Sequence, residues 1–158
     1  MFDLAELLRS LRGADVRFII VGGAAAVLHR APVTTVDLDI VHDRDPANVD
    51  RLFAVLQRLD AHVRDPAGRL LRPSASHLLG PGQVLLTTRL GDLDCLGTLH
   101  DGRGYSELVP HSERIHDGDA ELLVLDLATL IEVKTKAGRP KDRIVVPVLL
   151  ELLRREQG

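Results

Sequence analysis

Apolar and polar positions along the chain repeat with two periods, and their order predicts alternating helices and strands. Leu4, Leu7, Leu8 and Leu11 recur at the helical period behind Asp3, which suits an N-cap, and Gly13 ends the run. Val16–Val21 is a short apolar stretch of β-branched and aromatic type, the pattern of a buried strand. Gly22 and Gly23 break it, and a helix is expected from Ala24 to Arg30, stopped by Pro32. Val36–His42 alternates as a half-buried strand. Pro46 opens another helix, with Val49, Leu52, Phe53, Leu56 and Leu59 on one side.

Residues 65–82 hold Pro66, Gly68, Pro73, Gly80, Pro81 and Gly82 and read as an irregular connection or flap. Beyond it, Gln83–Thr88 and Leu90–Leu96 read as a hairpin. Glu121–Leu125 reads as a strand leading to a helix capped by Asp126. Gly138–Pro140 interrupts that helix, and a last one continues toward Arg155, so helices occupy about 126–155. Interleaved strands and helices together with a hairpin predict an α+β fold, a mixed sheet with flanking helices. The 158 residues suit a single domain.

Composition narrows the class. Hydrophobic residues are 45% and charged residues 27%, the balance of a chain with a real core. Lys and Arg number 20 against 23 Asp and Glu, a net charge of -3, which excludes a polycationic nucleic-acid coat. Cys95 is the lone cysteine, so a disulfide framework and a multi-cysteine zinc site are excluded. The histidines, His29, His42, His77, His100, His111 and His116 among them, show no close pair at ligand spacing. The first residues lack the apolar centre of a signal peptide, and no uncharged run approaches the ~20 residues of a membrane span. A soluble, cytoplasmic protein without membrane attachment is expected.

Four features carry candidate chemistry. In Val36-Asp37-Leu38-Asp39-Ile40, strand alternation places Asp37 and Asp39 on one face and Val36, Leu38 and Ile40 on the other. Adjacent carboxylates repel, and a hard divalent cation is their natural partner, although a solvated edge strand has the same pattern. Gly22-Gly23, between strand and helix, lets backbone N–H groups approach an anion; it fits neither a Walker loop nor G-x-G-x-x-G. In Gly91-Asp92-Leu93-Asp94, Asp94 lies among apolar neighbours and Asp92 follows the turn, so Asp94 is the better third carboxylate. Residues 131–143 hold five cations and two anions in an acidic chain, suited to a triphosphate or to a solvated helix end. Within it, Lys136 and Lys141 are expected to be the merely solvated members.

Taken in order, these features resemble the nucleotidyltransferase superfamily with the DNA polymerase β-like fold. They are most similar to its small bacterial branch of AbiEii-type toxins and minimal nucleotidyltransferases. The match rests on Gly22-Gly23, Thr35-Val36-Asp37-Leu38-Asp39, Asp94, Lys134 and the segment Ala137–Asp142. Many relatives carry Ser where this chain has Gly23 and Arg where it has Val33, which leaves Arg30 as the nearest cation there.

The resemblance implies transfer of a nucleotidyl group from a nucleoside triphosphate to an acceptor hydroxyl. Asp37, Asp39 and Asp94 would be the catalytic and metal-binding carboxylates, for Mg2+ or Mn2+. Gly22, Gly23, Arg30, Thr35, Lys134 and Arg139 would bind the nucleotide, with Asp142 either beside them or orienting Arg139. The acceptor would be a tRNA or other RNA, a protein or a small molecule. A toxin–antitoxin role would add a cognate antitoxin as partner. The rival reading is a regulatory module of the same fold that binds nucleotide with little or no turnover. Few aromatics (Phe2, Phe18, Phe53, Tyr105) speak against a base-stacking RNA platform.

Overall fold

The computed structural model describes residues 1–158 as one seven-stranded sheet with seven α-helices. The elements are α1 (Leu4–Gly13), β1 (Phe18–Val21), α2 (Gly22–Leu28), β2 (Asp37–His42), α3 (Pro46–Arg58), β3 (His62–Val63), α4 (Ala75–Leu79), β4 (Gln83–Thr88) and β5 (Gly91–Leu96). After them come α5 (Tyr105–Leu108), a 3-10 turn (Val109–His111), β6 (Ser112–Asp117), β7 (Ala120–Leu125), α6 (Leu127–Ala137) and α7 (Pro140–Gln157). The expected mixed sheet is present, in the order β3-β4-β5-β2-β1-β7-β6. Strands β2/β5 and β1/β7 are parallel; every other neighbouring pair is antiparallel.

Local chemistry accounts for most elements. The Asp3 carboxylate accepts the Glu6 N–H (3.1 Å) and starts α1, whose Leu7, Leu8 and Leu11 are buried. Every residue of β1 is buried, as a central strand requires. The Asp126 carboxylate accepts the Thr129 N–H (2.7 Å) and starts α6. Thirty-six buried apolar residues form one contiguous cluster between sheet and helices. No helix is long and apolar enough to cross a membrane.

Several expectations need correction. Helix α2 begins at Gly22 rather than Ala24, so both glycines belong to its first turn. Val36 does not share the inner face with Leu38 and Ile40: it precedes β2 and is 78% exposed, whereas the other two are fully buried. Residues 65–82 are not wholly irregular. They contain α4, capped by the Ser74 hydroxyl, with Leu78 buried and its carbonyl 2.7 Å from His42 Nε2. Burial holds the His42 imidazole below its ordinary pKa, so it stays neutral and donates through Nε2–H. Strand β6 has no counterpart in the sequence reading because only Ile115 supplies an apolar inward position on this exposed edge. The Asp117-Gly118 pair was the available signal, since Gly118 takes φ +62° in the tight β6–β7 turn.

Candidate active site

Strand β2 lies inside the sheet, and its alternation aims Leu38 and Ile40 into the core while Asp37 and Asp39 face the opposite side. On one flank Asp39 pairs with Val21, the last residue of β1; on the other, parallel pairing sets it opposite Asp94 of β5. This register selects Asp94 as the third carboxylate. Asp92 pairs opposite Asp37 and accepts the Thr87 hydroxyl at 3.0 Å. Asp37, Asp39 and Asp94 can each offer one oxygen such that all three lie within 4.8 Å of one another.

Three carboxylates this close are electrostatically frustrated. Burial first, then the charges of Asp37 and Asp94, push the Asp39 pKa up to about 7, and Lys141 only partly offsets them. Asp39 Oδ1 is buried without a hydrogen-bond partner. An orphaned oxygen beside two further hard oxygen donors suits a divalent cation of the magnesium or manganese type. Cys95, next in sequence to Asp94, is fully buried; burial and the neighbouring carboxylates raise its pKa, so it is a core residue.

The start of α2 closes one side of this floor. Gly22 takes φ +65°, and a Cβ there would collide with the Asp39 carboxylate. A Cβ on Gly23 would lie 2.8 Å from Thr35 Oγ1, so that hydroxyl fills the space a side chain at 23 would use. The Thr35 hydroxyl donates to the Asp37 carbonyl at 2.9 Å. Arg30 is not brought here. It lies past the far end of α2, eight residues from Gly22 and about 12 Å along the helix direction.

Helices α6 and α7 form the basic wall. Gly138 takes φ +62° as the left-handed cap that turns one helix into the other. Lys134 is buried (7% exposed), with Nζ 3.6 Å from the nearly inaccessible Asp142 carboxylate. Arg139 donates to the same carboxylate from its backbone N–H (3.2 Å), Nε (2.8 Å) and Nη2 (3.3 Å). Burial alone would raise the Asp142 pKa, but the Arg139 hydrogen bond and the charges of Arg139 and Lys134 outweigh it and hold it below the usual range. Burial lowers the Lys134 pKa, with Asp142 opposing. The hydrogen bond to Asp142 does most to raise the Arg139 pKa, and the Asp39 and Asp37 charges add to it. Lys136 and Lys141 are both exposed, as expected of solvated members; Lys136 also borders the cleft, and the Lys141 charge partly offsets the carboxylates around Asp39.

Floor and wall enclose a cleft of about 430 Å³. Gly22, Asp39, Asp94, Lys134 and Arg139 line it, with apolar surface from Leu85 and Leu99 among others. The residue that sequence reasoning missed is Arg64. It follows the two-residue β3 and donates from Nη2 to Asp94 Oδ1 at 2.5 Å. No local pattern marks it, because its partner is 30 positions away and across another strand.

A central Asp-x-Asp strand, a third Asp on its parallel neighbour and a glycine-led helix preceding the Asp-x-Asp strand lie within the nucleotidyltransferase fold, which solved structures share over nearly the whole chain. A protein from Thermotoga maritima assigned as a nucleotidyltransferase matches with a TM-score of 0.56 and 18% identity, covering 96% of each chain. The lincosamide antibiotic adenylyltransferase LnuA, solved with lincomycin bound, matches with a TM-score of 0.66 and 12% identity over 94% of this chain and 95% of its own. ANT(2″)-Ia, solved with adenylyl-2″-tobramycin, matches with a TM-score of 0.59 and 15% identity over 96% of this chain and 87% of its own. No protein-family model matches the sequence, and no curated protein matches it, so the likeness is one of fold.

Proposed function

We propose that this protein is a nucleotidyltransferase that moves a nucleoside monophosphate from a nucleoside triphosphate to an acceptor hydroxyl. The observation that carries this reading is the convergence of Asp37, Asp39 and Asp94 within 4.8 Å, with Asp39 Oδ1 left unpartnered in a cleft that Lys134 and Arg139 also line. Asp37 and Asp39 would hold a divalent cation, Mg2+ or Mn2+, with Asp94 on the acceptor side. When bound, the cation supplies charge neutralisation for the triphosphate and the departing pyrophosphate. The N–H groups of Gly22 and Gly23 and the Thr35 hydroxyl border the phosphates; Lys134 and Arg139 offset their charge from the facing wall. Asp94 accepts the proton of the acceptor hydroxyl as its oxygen bonds to the α-phosphorus and the bond to pyrophosphate breaks.

Among acceptors, a small hydroxylated molecule suits the cleft best, because Leu85 and Leu99 offer apolar surface beside Asp94. The solved neighbours captured with lincomycin and adenylyl-tobramycin are in keeping with this. A tRNA or protein acceptor, and the toxin–antitoxin setting with its antitoxin, have no such feature in their favour. One observation favours the second reading, a nucleotide-binding module without turnover: Arg64 already engages Asp94.

The deciding experiment incubates the protein with each labelled nucleoside triphosphate, Mg2+ and candidate acceptors, beside Asp37→Ala. Label should pass to an acceptor only with the unmodified chain. Asp94→Asn should keep nucleotide binding and lose transfer. Lys134→Ala should weaken binding by on the order of 1.5–3 kcal/mol. Absence of any Mg2+-dependent nucleotide binding would sink both readings.

A further inference from the structure

Of the three clustered carboxylates, Asp94 alone has a cationic partner. Arg64 Nη2 donates to Asp94 Oδ1 at 2.5 Å, and Nη1 lies 3.7 Å from Asp92 Oδ2. Neither Asp37 nor Asp39 has a Lys, Arg or His within salt-bridge distance. The arginine is held at both ends. Its backbone N–H donates to the Leu85 carbonyl (3.0 Å), and Nη1 donates to the Leu86 carbonyl (2.6 Å), so the side chain is laid across β4 to reach β5. A planar guanidinium with two fixed acceptors has little freedom to leave, and with about a third of the side chain exposed, water screens it only in part.

We infer that Arg64 is a built-in counter-cation that reserves Asp94 and thereby sets the order in which the site takes up divalent cations. This rests on the reading of the carboxylate floor as a metal site. In the nucleotide-free protein, Asp37 and Asp39 are open to one cation. A second cation on Asp94 must share that carboxylate with a fixed positive charge, which opposes it by Coulomb repulsion and by occupying Oδ1. The arriving triphosphate brings negative charge that offsets the repulsion, so the acceptor-side cation enters with the nucleotide. Arg64 is thus a positioning residue, acting through Asp94.

The test is Mn2+ binding, followed by electron paramagnetic resonance without nucleotide, for the unmodified chain, Arg64→Gln, Arg64→Lys and Asp39→Ala. The unmodified protein should bind one equivalent, and a second only when a non-hydrolysable nucleoside triphosphate is added. Arg64→Gln should take up the second equivalent unaided, with affinity raised about tenfold or more. Arg64→Lys should restore the single-equivalent pattern only in part, because it keeps the charge but loses the guanidinium's simultaneous hold on the Leu86 carbonyl and Asp94. Two equal equivalents in the nucleotide-free unmodified protein would overturn the inference even if Arg64→Gln fails to fold. A folded Arg64→Gln that behaves like the unmodified protein would overturn it too, and reduce Arg64 to a clamp on β4. Asp39→Ala separates the two levels. If it loses the first equivalent while Arg64→Gln changes nothing, only the role of Arg64 falls; if it loses nothing, the metal floor falls as well.

Discussion

The acidic floor and the basic wall of the cleft follow opposite electrostatic plans. The floor gathers Asp37, Asp39 and Asp94 from two strands and leaves Asp39 Oδ1 without a partner. The wall places Lys134 and Arg139 around Asp142, which pairs with both. One region is unsatisfied until a ligand arrives; the other is satisfied within itself. The same chemical groups therefore have opposite consequences for stability. Removing Asp39, a floor carboxylate with no cationic partner, relieves repulsion, whereas removing Asp142 from the wall strands two cations, one of them buried.

Asp142→Asn is the largest test of that contrast. Leaving Lys134 without its buried partner should cost about 3–5 kcal/mol, read as a lower urea midpoint. A loss below ~1 kcal/mol would show that the wall does not depend on this pairing. Lys134 is consequently not the dispensable solvated lysine that the helix-end reading suggests: Lys134→Ala should reduce stability as well as nucleotide binding, since it empties a buried position.

Asp39→Asn should move stability the other way. With the Asp39 pKa pushed up to about 7, its ionised form is disfavoured in the folded state. The amide should stabilise the metal-free protein at pH 8 by on the order of 2 kcal/mol, a rise of about 4–8 °C in Tm. The same variant should lose the Tm increase that Mn2+ gives the unmodified chain. A fall in Tm would place Asp39 in a structural network instead.

The pH dependence sharpens the same point. A carboxyl whose folded pKa lies above its unfolded value, about 4, binds its proton more tightly when folded. Its contribution is fully present below pH 4 and is lost as pH rises through 7. In a chelator, Tm should therefore decline between pH 5 and 8, with a slope of at most about 1.4 kcal/mol per pH unit from this group. Asp39→Asn should flatten the slope, and a slope unchanged in that variant would assign it to other groups.

The smallest effect belongs to the hinge of the wall. Gly138→Ala forces a side chain into the left-handed cap between α6 and α7 and should cost about 1 kcal/mol. If the turn sets the Lys134–Arg139 arrangement, nucleotide affinity should fall with it. Unchanged affinity would show that Asp142 alone orients Arg139.

Much of this was legible in order along the chain. The helical period of Leu4–Leu11, the apolar run of β1, the Asp3 and Asp126 caps and the alternation that puts Asp37 and Asp39 on one face are local properties, readable within a few residues. Arrangements between distant segments were not legible from periodicity. Parallel pairing of β2 with β5 set Asp94 opposite Asp39, and the resemblance anticipated that partnership without showing its register. Burial made Lys134 a nearly inaccessible residue of the cleft wall, although its neighbours in sequence read as a solvated helix end. Strand β6 stayed hidden because an exposed edge needs little apolar pattern, and the two-residue β3 is too short to show one. Arg64 meets Asp94 only because the sheet folds one strand past another. Periodicity records which face a residue takes on its own element. Which charges meet across elements depends on strand order and register, and these follow from packing the whole core at once.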